Sequence, residues 1–107
     1  MPGEVQELSD ATFAQHIATG VVLVDFYGTY CPPCKLLEPV VEQLAEDFAG
    51  RAAIARLNID DNYEAAVDSA VEDIPTIIIF KDGQPAGRLF GAQKLETLAA
   101  ELERHLG

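Results

Sequence analysis

Two cysteines separated by two prolines, Cys31-Pro32-Pro33-Cys34, are the residues of this chain whose type and spacing point most directly to chemistry. They follow Val21 to Tyr27, a β-branched and aromatic run that reads as a strand covered on both faces, and they open a segment with helical spacing. A C-x-x-C pair between a buried strand and a helix reads as a redox pair. If Cys31 caps the helix, its sulfur lies where unpaired backbone N–H groups and the positive end of the helix dipole stabilise a thiolate. That thiolate can attack a disulfide, and Cys34, one turn on, can resolve the resulting mixed disulfide at high effective concentration. Cys31 is thus expected to be the exposed nucleophile and Cys34 the buried resolving thiol. Pro32 and Pro33 cost little at the first helical positions, whose N–H groups have no intrahelical partner. Asp25 is the other candidate: an acid among Val22, Leu23, Val24 and Phe26 is expected to be desolvated, with its pKa raised.

The elements that must hold these groups alternate along the chain. Ser9 to Gly20 reads as a short helix with Ser9 as capping residue and Phe13 and Ile17 on its apolar face. Leu37, Val41, Leu44 and Phe48 predict a helix from Cys34 to Phe48, kinked at Pro39. Ala52 to Ile59 alternates as a strand, and Asn62 to Ser69 gives a short polar helix. Thr76 to Lys81 and Ala86 to Phe90 flank Asp82-Gly83 as an antiparallel hairpin. Leu95, Leu98, Ala99, Leu102 and Leu106 mark one face of a helix from Gln93 to Leu106. Such alternation indicates an α/β sandwich with a mixed sheet.

With 107 residues, 49% of them hydrophobic, the chain is expected to form a single domain, residues 1–107, whose core needs neither disulfides nor a structural metal. A formal charge of −11 argues against nucleic acid and anionic membranes as partners. The longest apolar runs, Val21 to Val24 and Thr76 to Phe80, are strand-sized, too short to span a bilayer. Met1 to Glu7 lacks the basic and apolar regions of a secretory leader, so the expected location is cytoplasmic, where a purely structural disulfide is unusual.

Taken together, Val24-Asp25-Phe26-Tyr27, the C-x-P-C core ending in Lys35, Leu57-Asn58-Ile59-Asp60, Ile74-Pro75-Thr76, Phe80-Lys81-Asp82-Gly83 and Gly91-Ala92 make the chain resemble the thioredoxin family over nearly its whole length. The resemblance implies a thioredoxin fold, with a five-stranded mixed sheet in the order 1-3-2-4-5 flanked by four helices. It implies a monomeric protein-disulfide reductase that acts on disulfide-containing protein substrates, is recycled by a thioredoxin reductase and needs no bound cofactor beyond its redox-active disulfide. It makes Asp25 the buried proton acceptor for Cys34 and Ile74-Pro75 a cis bond facing the cysteines. Tyr30, Ile59, Ile74, Thr76, Phe90, Gly91 and Ala92 fall where the family binds its substrates, and Lys35 and Arg56 fall at auxiliary positions, Arg56 where the family usually places a lysine near the buried acid.

Three departures from the family pattern stand out. Tyr27 and Tyr30 replace the usual tryptophans, Pro32 replaces a glycine, and Gly91-Ala92 runs almost directly into the last helix. Since thiolate stability sets the reduction potential, Pro32 leaves open a thiol oxidant or isomerase, and a thioredoxin-like binding module is a further alternative. A zinc site lacks ligands, because His16 and His105 fall on helices away from the motif in the expected fold. Both histidines read as lying on solvated helix faces. Six of the eighteen acids fall between Asp60 and Asp73, with no Lys or Arg among them, and read as a solvated face able to steer a basic partner.

Overall fold

The computed structural model describes residues 3–107; the reading of the leader falls partly on Met1 and Pro2, outside the described residues. Within them the order is β1 (Gln6–Leu8), α1 (Phe13–Ile17), β2 (Val21–Tyr27), α2 (Pro32–Asp47), β3 (Ala53–Asn58), α3 (Tyr63–Asp68), β4 (Thr76–Lys81), β5 (Gln84–Phe90) and α4 (Leu95–Leu106). The strands form one sheet in the order β1-β3-β2-β4-β5. β3 runs parallel to both β1 and β2, whereas β4 is antiparallel to β2 and β5.

β2 lies at the centre because it can be covered on both faces. Its residues 21–26 are all buried, which explains a sequence without polar alternation. On one face Leu23, Ile54, Ile77 and Ile79 pack under Leu37, Val41 and Leu44 of α2 and Leu98 and Leu102 of α4. On the other, Val22, Val24, Phe26, Ile78 and Phe80 meet Phe13 and Ile17 of α1 and Ala65 of α3. Full burial of each such aliphatic side chain contributes roughly 1.5–3 kcal/mol.

α1 is shorter than its sequence suggests. The amides of Thr12 and Phe13 both donate to the Ser9 carbonyl, so residues 9–12 form a turn and Thr12, not Ser9, precedes the helix. α2 begins two residues earlier than expected, at Pro32, and continues through Pro39 to Asp47. Asp82 and Gly83 both have positive φ, 50° and 87°, the pattern of the tight turn that suits a two-residue hairpin loop.

α3 is held from outside at both ends. The Asp10 carboxylate accepts from the amides of Glu64 and Ala65 at its start. At its end Arg88 of β5 donates to the carbonyls of Ser69 and Ala70. Ala70 itself sits at φ 56°, while the Val71 amide bonds to Ala66 O and the Ala70 amide to Val67 O; these bonds close the helix as a Schellman motif with alanine where glycine is usual.

His105 departs from its expected solvated face. Its side chain is largely buried, and Nε2 is 3.6 Å from Glu101 Oε2. The face of α4 that carries it lies against the backbone of β5 at Gly87, where an added Cβ would stand 3.0 Å from that nitrogen. Among the described residues, no helix is long and apolar enough to cross a membrane.

Candidate active site

The cysteine pair sits where the central strand hands over to α2. Cys31 is the N-cap, with extended backbone, and Pro32 and Pro33 occupy the first two helical positions. Neither proline carries an amide hydrogen, so capping falls to the next residue: the Cys34 N–H donates to Cys31 Sγ at 3.3 Å. Cys31 and Cys34 form a disulfide with sulfurs 2.09 Å apart. Both residues are buried, Cys31 at 5% and Cys34 at 3% exposure, so the expected contrast between an exposed nucleophile and a buried partner is absent in this oxidised form. The exposed part of the motif is Pro32-Pro33.

Three contacts fix the approach to Cys31. The Thr29 amide donates to Asp60 Oδ2 at 2.8 Å, and Asn58 Nδ2 donates to Thr29 Oγ1. Gly28 lies so close to Ile74 that an added Cβ would stand 2.5 Å from Ile74 Cδ1. Asp60, one of the acids read as solvated, therefore holds the loop that leads to Cys31.

Asp25 is 1% exposed, and its Oδ1 has no hydrogen-bond partner. Burial, foremost, lifts its pKa from 3.8 to about 7; Arg56 pulls the other way, and Glu38 and Glu7 push it further up. Strand pairing sets Glu7, Arg56, Asp25, Ile77 and Leu89 side by side in one row across the sheet, on the face covered by α2 and α4. Among the described residues, the Arg56 guanidinium nevertheless makes its ion pairs elsewhere than with Asp25. Its Nη2 is 3.4 Å from Glu38 Oε1, its Nε is 3.6 Å from Glu7 Oε1, and its central carbon lies 3.9 Å from the centre of the Tyr27 ring. Tyr27 donates its hydroxyl to Glu7 Oε2 at 2.7 Å. Its own pKa is raised to about 12, by burial first and then by that hydrogen bond.

The remaining candidates divide into surface and interior. Tyr30 is 96% and Phe90 62% exposed, Ala92 is exposed, and Ile59, Ile74 and Gly91 are half-buried. Ile74-Pro75 is cis, and the Pro75 carbonyl accepts from the Gly91 amide at 2.9 Å, joining two segments expected to bind substrate. Thr76, expected among the substrate-binding residues, has a buried side chain whose hydroxyl donates to the Asp73 carbonyl. Lys35 is exposed on the first turn of α2. Glu7 and Glu38 are the participants that sequence reasoning missed. The available signal for Glu38 was its spacing, four residues after Cys34 and therefore on the same side of α2; Glu7 had no signal without the β1–β3 register. Among the described residues, no group of three His, Cys, Asp or Glu side chains is placed to hold a metal ion.

The thioredoxin family model matches residues 4–104. A thioredoxin of Staphylococcus aureus is 45% identical over 102 residues, covering 95% of this chain and 98% of that protein. Among solved structures, a mutant thioredoxin from Halobacterium salinarum superimposes with a TM-score of 0.86 at 33% identity, covering 99% of this chain and 94% of its own. A thioredoxin of Malassezia sympodialis gives a TM-score of 0.85 at 29% identity, covering 100% and 96%. With a cysteine disulfide at the N-cap of α2 and a buried acid on the neighbouring central strand, the chain belongs to the thioredoxin family of protein-disulfide oxidoreductases.

Proposed function

We propose that this chain, working as a single-domain monomer in the cytoplasm, reduces disulfides of other proteins and is recycled by a thioredoxin reductase. The observation that carries the reading is the Cys31 sulfur at the N-cap, bonded to Cys34 and accepting that residue's N–H. In the reduced protein the same N–H and the helix dipole face a Cys31 thiolate. That thiolate attacks one sulfur of a substrate disulfide; the substrate S–S bond breaks, a Cys31–substrate bond forms, and the other substrate sulfur leaves as a thiolate that takes a proton from water. Cys34 then gives its proton to Asp25 and attacks Cys31 Sγ. The mixed disulfide breaks, the second substrate sulfur leaves and is protonated, and two electrons have passed from the cysteine pair to the substrate.

Asp25 suits the role of acceptor because a base titrating near 7 combines an ionised fraction with real affinity for a proton at neutral pH. Tyr30, Phe90, Ala92, Ile59, Ile74 and Gly91 supply an apolar surface for varied protein partners on an otherwise acidic molecule. A Cys34→Ser variant incubated with a protein disulfide should accumulate the mixed disulfide on Cys31, and Cys31→Ser should be inert. Insulin-reducing activity retained by both variants would overturn the mechanism.

A further inference from the structure

Beside the buried acid lies a cavity of about 170 Å³, lined by Asp25, Glu7, Glu38, Glu42, Arg56 and Val41 together with Val5. Four of these side chains are carboxylates and one is a guanidinium. The cation is the immediate register neighbour of Asp25, yet its ion pairs go to Glu7 and Glu38. Glu7 holds it from β1, on the far side of β3 from Asp25. Glu38 holds it from α2, one helical turn beyond Cys34. The Tyr27 ring under the guanidinium and the Tyr27 hydroxyl on Glu7 complete the hold.

From this arrangement we infer that Glu38, with Glu7, is a positioning residue that keeps the Arg56 guanidinium off Asp25, so that the acid faces a cavity rather than an ion pair. The inference rests on the proposed role of Asp25 as proton acceptor and adds what keeps it fit for that role. A carboxylate paired directly with arginine would stay ionised well below neutrality and be a poor acceptor. Held by Glu7 and Glu38, Arg56 still offsets part of the negative charge at the site without pairing with Asp25. The cavity is large enough for water, with polar partners on several sides, so it also gives Asp25 a route for exchanging its proton with solvent. The charged or titratable groups around Asp25 are Glu7 of β1, Tyr27 of β2, Arg56 of β3 and Glu38 and Glu42 of α2; its β4 neighbour, Ile77, carries no charge.

The test is the titration of the Asp25 carboxyl, followed by carbon NMR in the oxidised protein, where neither cysteine ionises. Glu38→Gln removes a repelling charge and frees the guanidinium to turn toward Asp25; it should lower the Asp25 midpoint by about one pH unit. Glu42→Gln removes a charge from the same cavity that has no ion pair with Arg56, and should shift the midpoint less than half as far. In an Arg56→Met background Glu38→Gln should also lose more than half of its effect, since only direct repulsion is left to remove. An Asp25 midpoint unmoved or raised by Glu38→Gln, an equal shift from Glu42→Gln, or an equal shift with and without Arg56 would each overturn the inference. The titration reads ionisation alone, so it is independent of whether Asp25 passes protons to Cys34. That role is tested separately by the pH profile for release of the mixed disulfide in Asp25→Asn.

Discussion

Replacing Asp25 with asparagine keeps the size of the side chain and removes its proton-binding equilibrium. Asp25 titrates near 3.8 in the unfolded chain and at about 7 in the folded one. Between those values the folded state binds more protons than the unfolded state, so wild-type stability falls as pH rises through that window and levels off above it. Each pH unit in the window withdraws about 1.4 kcal/mol, or about 4 kcal/mol in all. Asparagine has no such dependence. Urea unfolding of the oxidised proteins at a series of pH values from about 4 to about 8 should show Asp25→Asn gaining on wild type by about 4 kcal/mol toward the alkaline end. That is a large share of the ~5–15 kcal/mol that stabilises a typical domain. A difference that stays flat across the range, or that grows toward acid, would refute the argument that burial leaves this acid without a compensating partner.

Ala70→Gly should raise stability by roughly 0.5–1 kcal/mol in the same urea assay, because it places glycine at an exposed residue held at φ 56°. Leu37→Ala, fully buried between α2 and the sheet, should cost about 2–5 kcal/mol, whereas Leu36→Ala, its exposed neighbour, should stay within about 0.5 kcal/mol of wild type. Combining Tyr30→Ser with Phe90→Ser should lower kcat/KM for a protein disulfide by about tenfold or more, and should leave reduction of a small disulfide reagent nearly unchanged.

Elements with an unambiguous pattern were legible in the sequence. β2 and β4 match their expected bounds residue for residue, because runs rich in β-branched and aromatic residues, bounded by Gly20 and Gly28 and by Pro75 and Asp82, leave little freedom. β1 was not readable from its residues alone. It has three residues, of which only Leu8 is buried, and it exists as a strand by virtue of pairing with β3. The helix at Ser9 was overextended because a capping residue also nucleates turns, and here its carbonyl accepts from both Thr12 and Phe13. The late start of α4 follows from Gly91 at φ 79° and extended backbone at Lys94, neither of which has a periodic signature.

At the site, the cysteine pair and the burial of Asp25 were readable because each depends on near neighbours in the chain. The hold on Arg56 depends on Glu7 and Glu38, which meet it through strand register and helix placement. The inward turn of Thr76 was hidden for a similar reason, since its hydroxyl partner is the carbonyl of Asp73 in the segment leading to the cis bond.

The external hold on α3 has a consequence for how the molecule opens. A six-residue helix that buries only Ala65 and Ala66 gains little from hydrophobic contact or from its own hydrogen bonds. Its persistence rests on Asp10 at one end and Arg88 at the other, both contributed by distant parts of the chain. Such a segment forms a small cooperative unit of low local stability, able to unfold and refold while the central strands stay intact. Its amides should therefore exchange with solvent through sub-global openings well before those of β2 and β4. Because α3 lies in the chain between Asp60, which holds the Cys31 loop, and the cis bond at Pro75, those openings would loosen the anchor of that loop and the approach to the cis bond together.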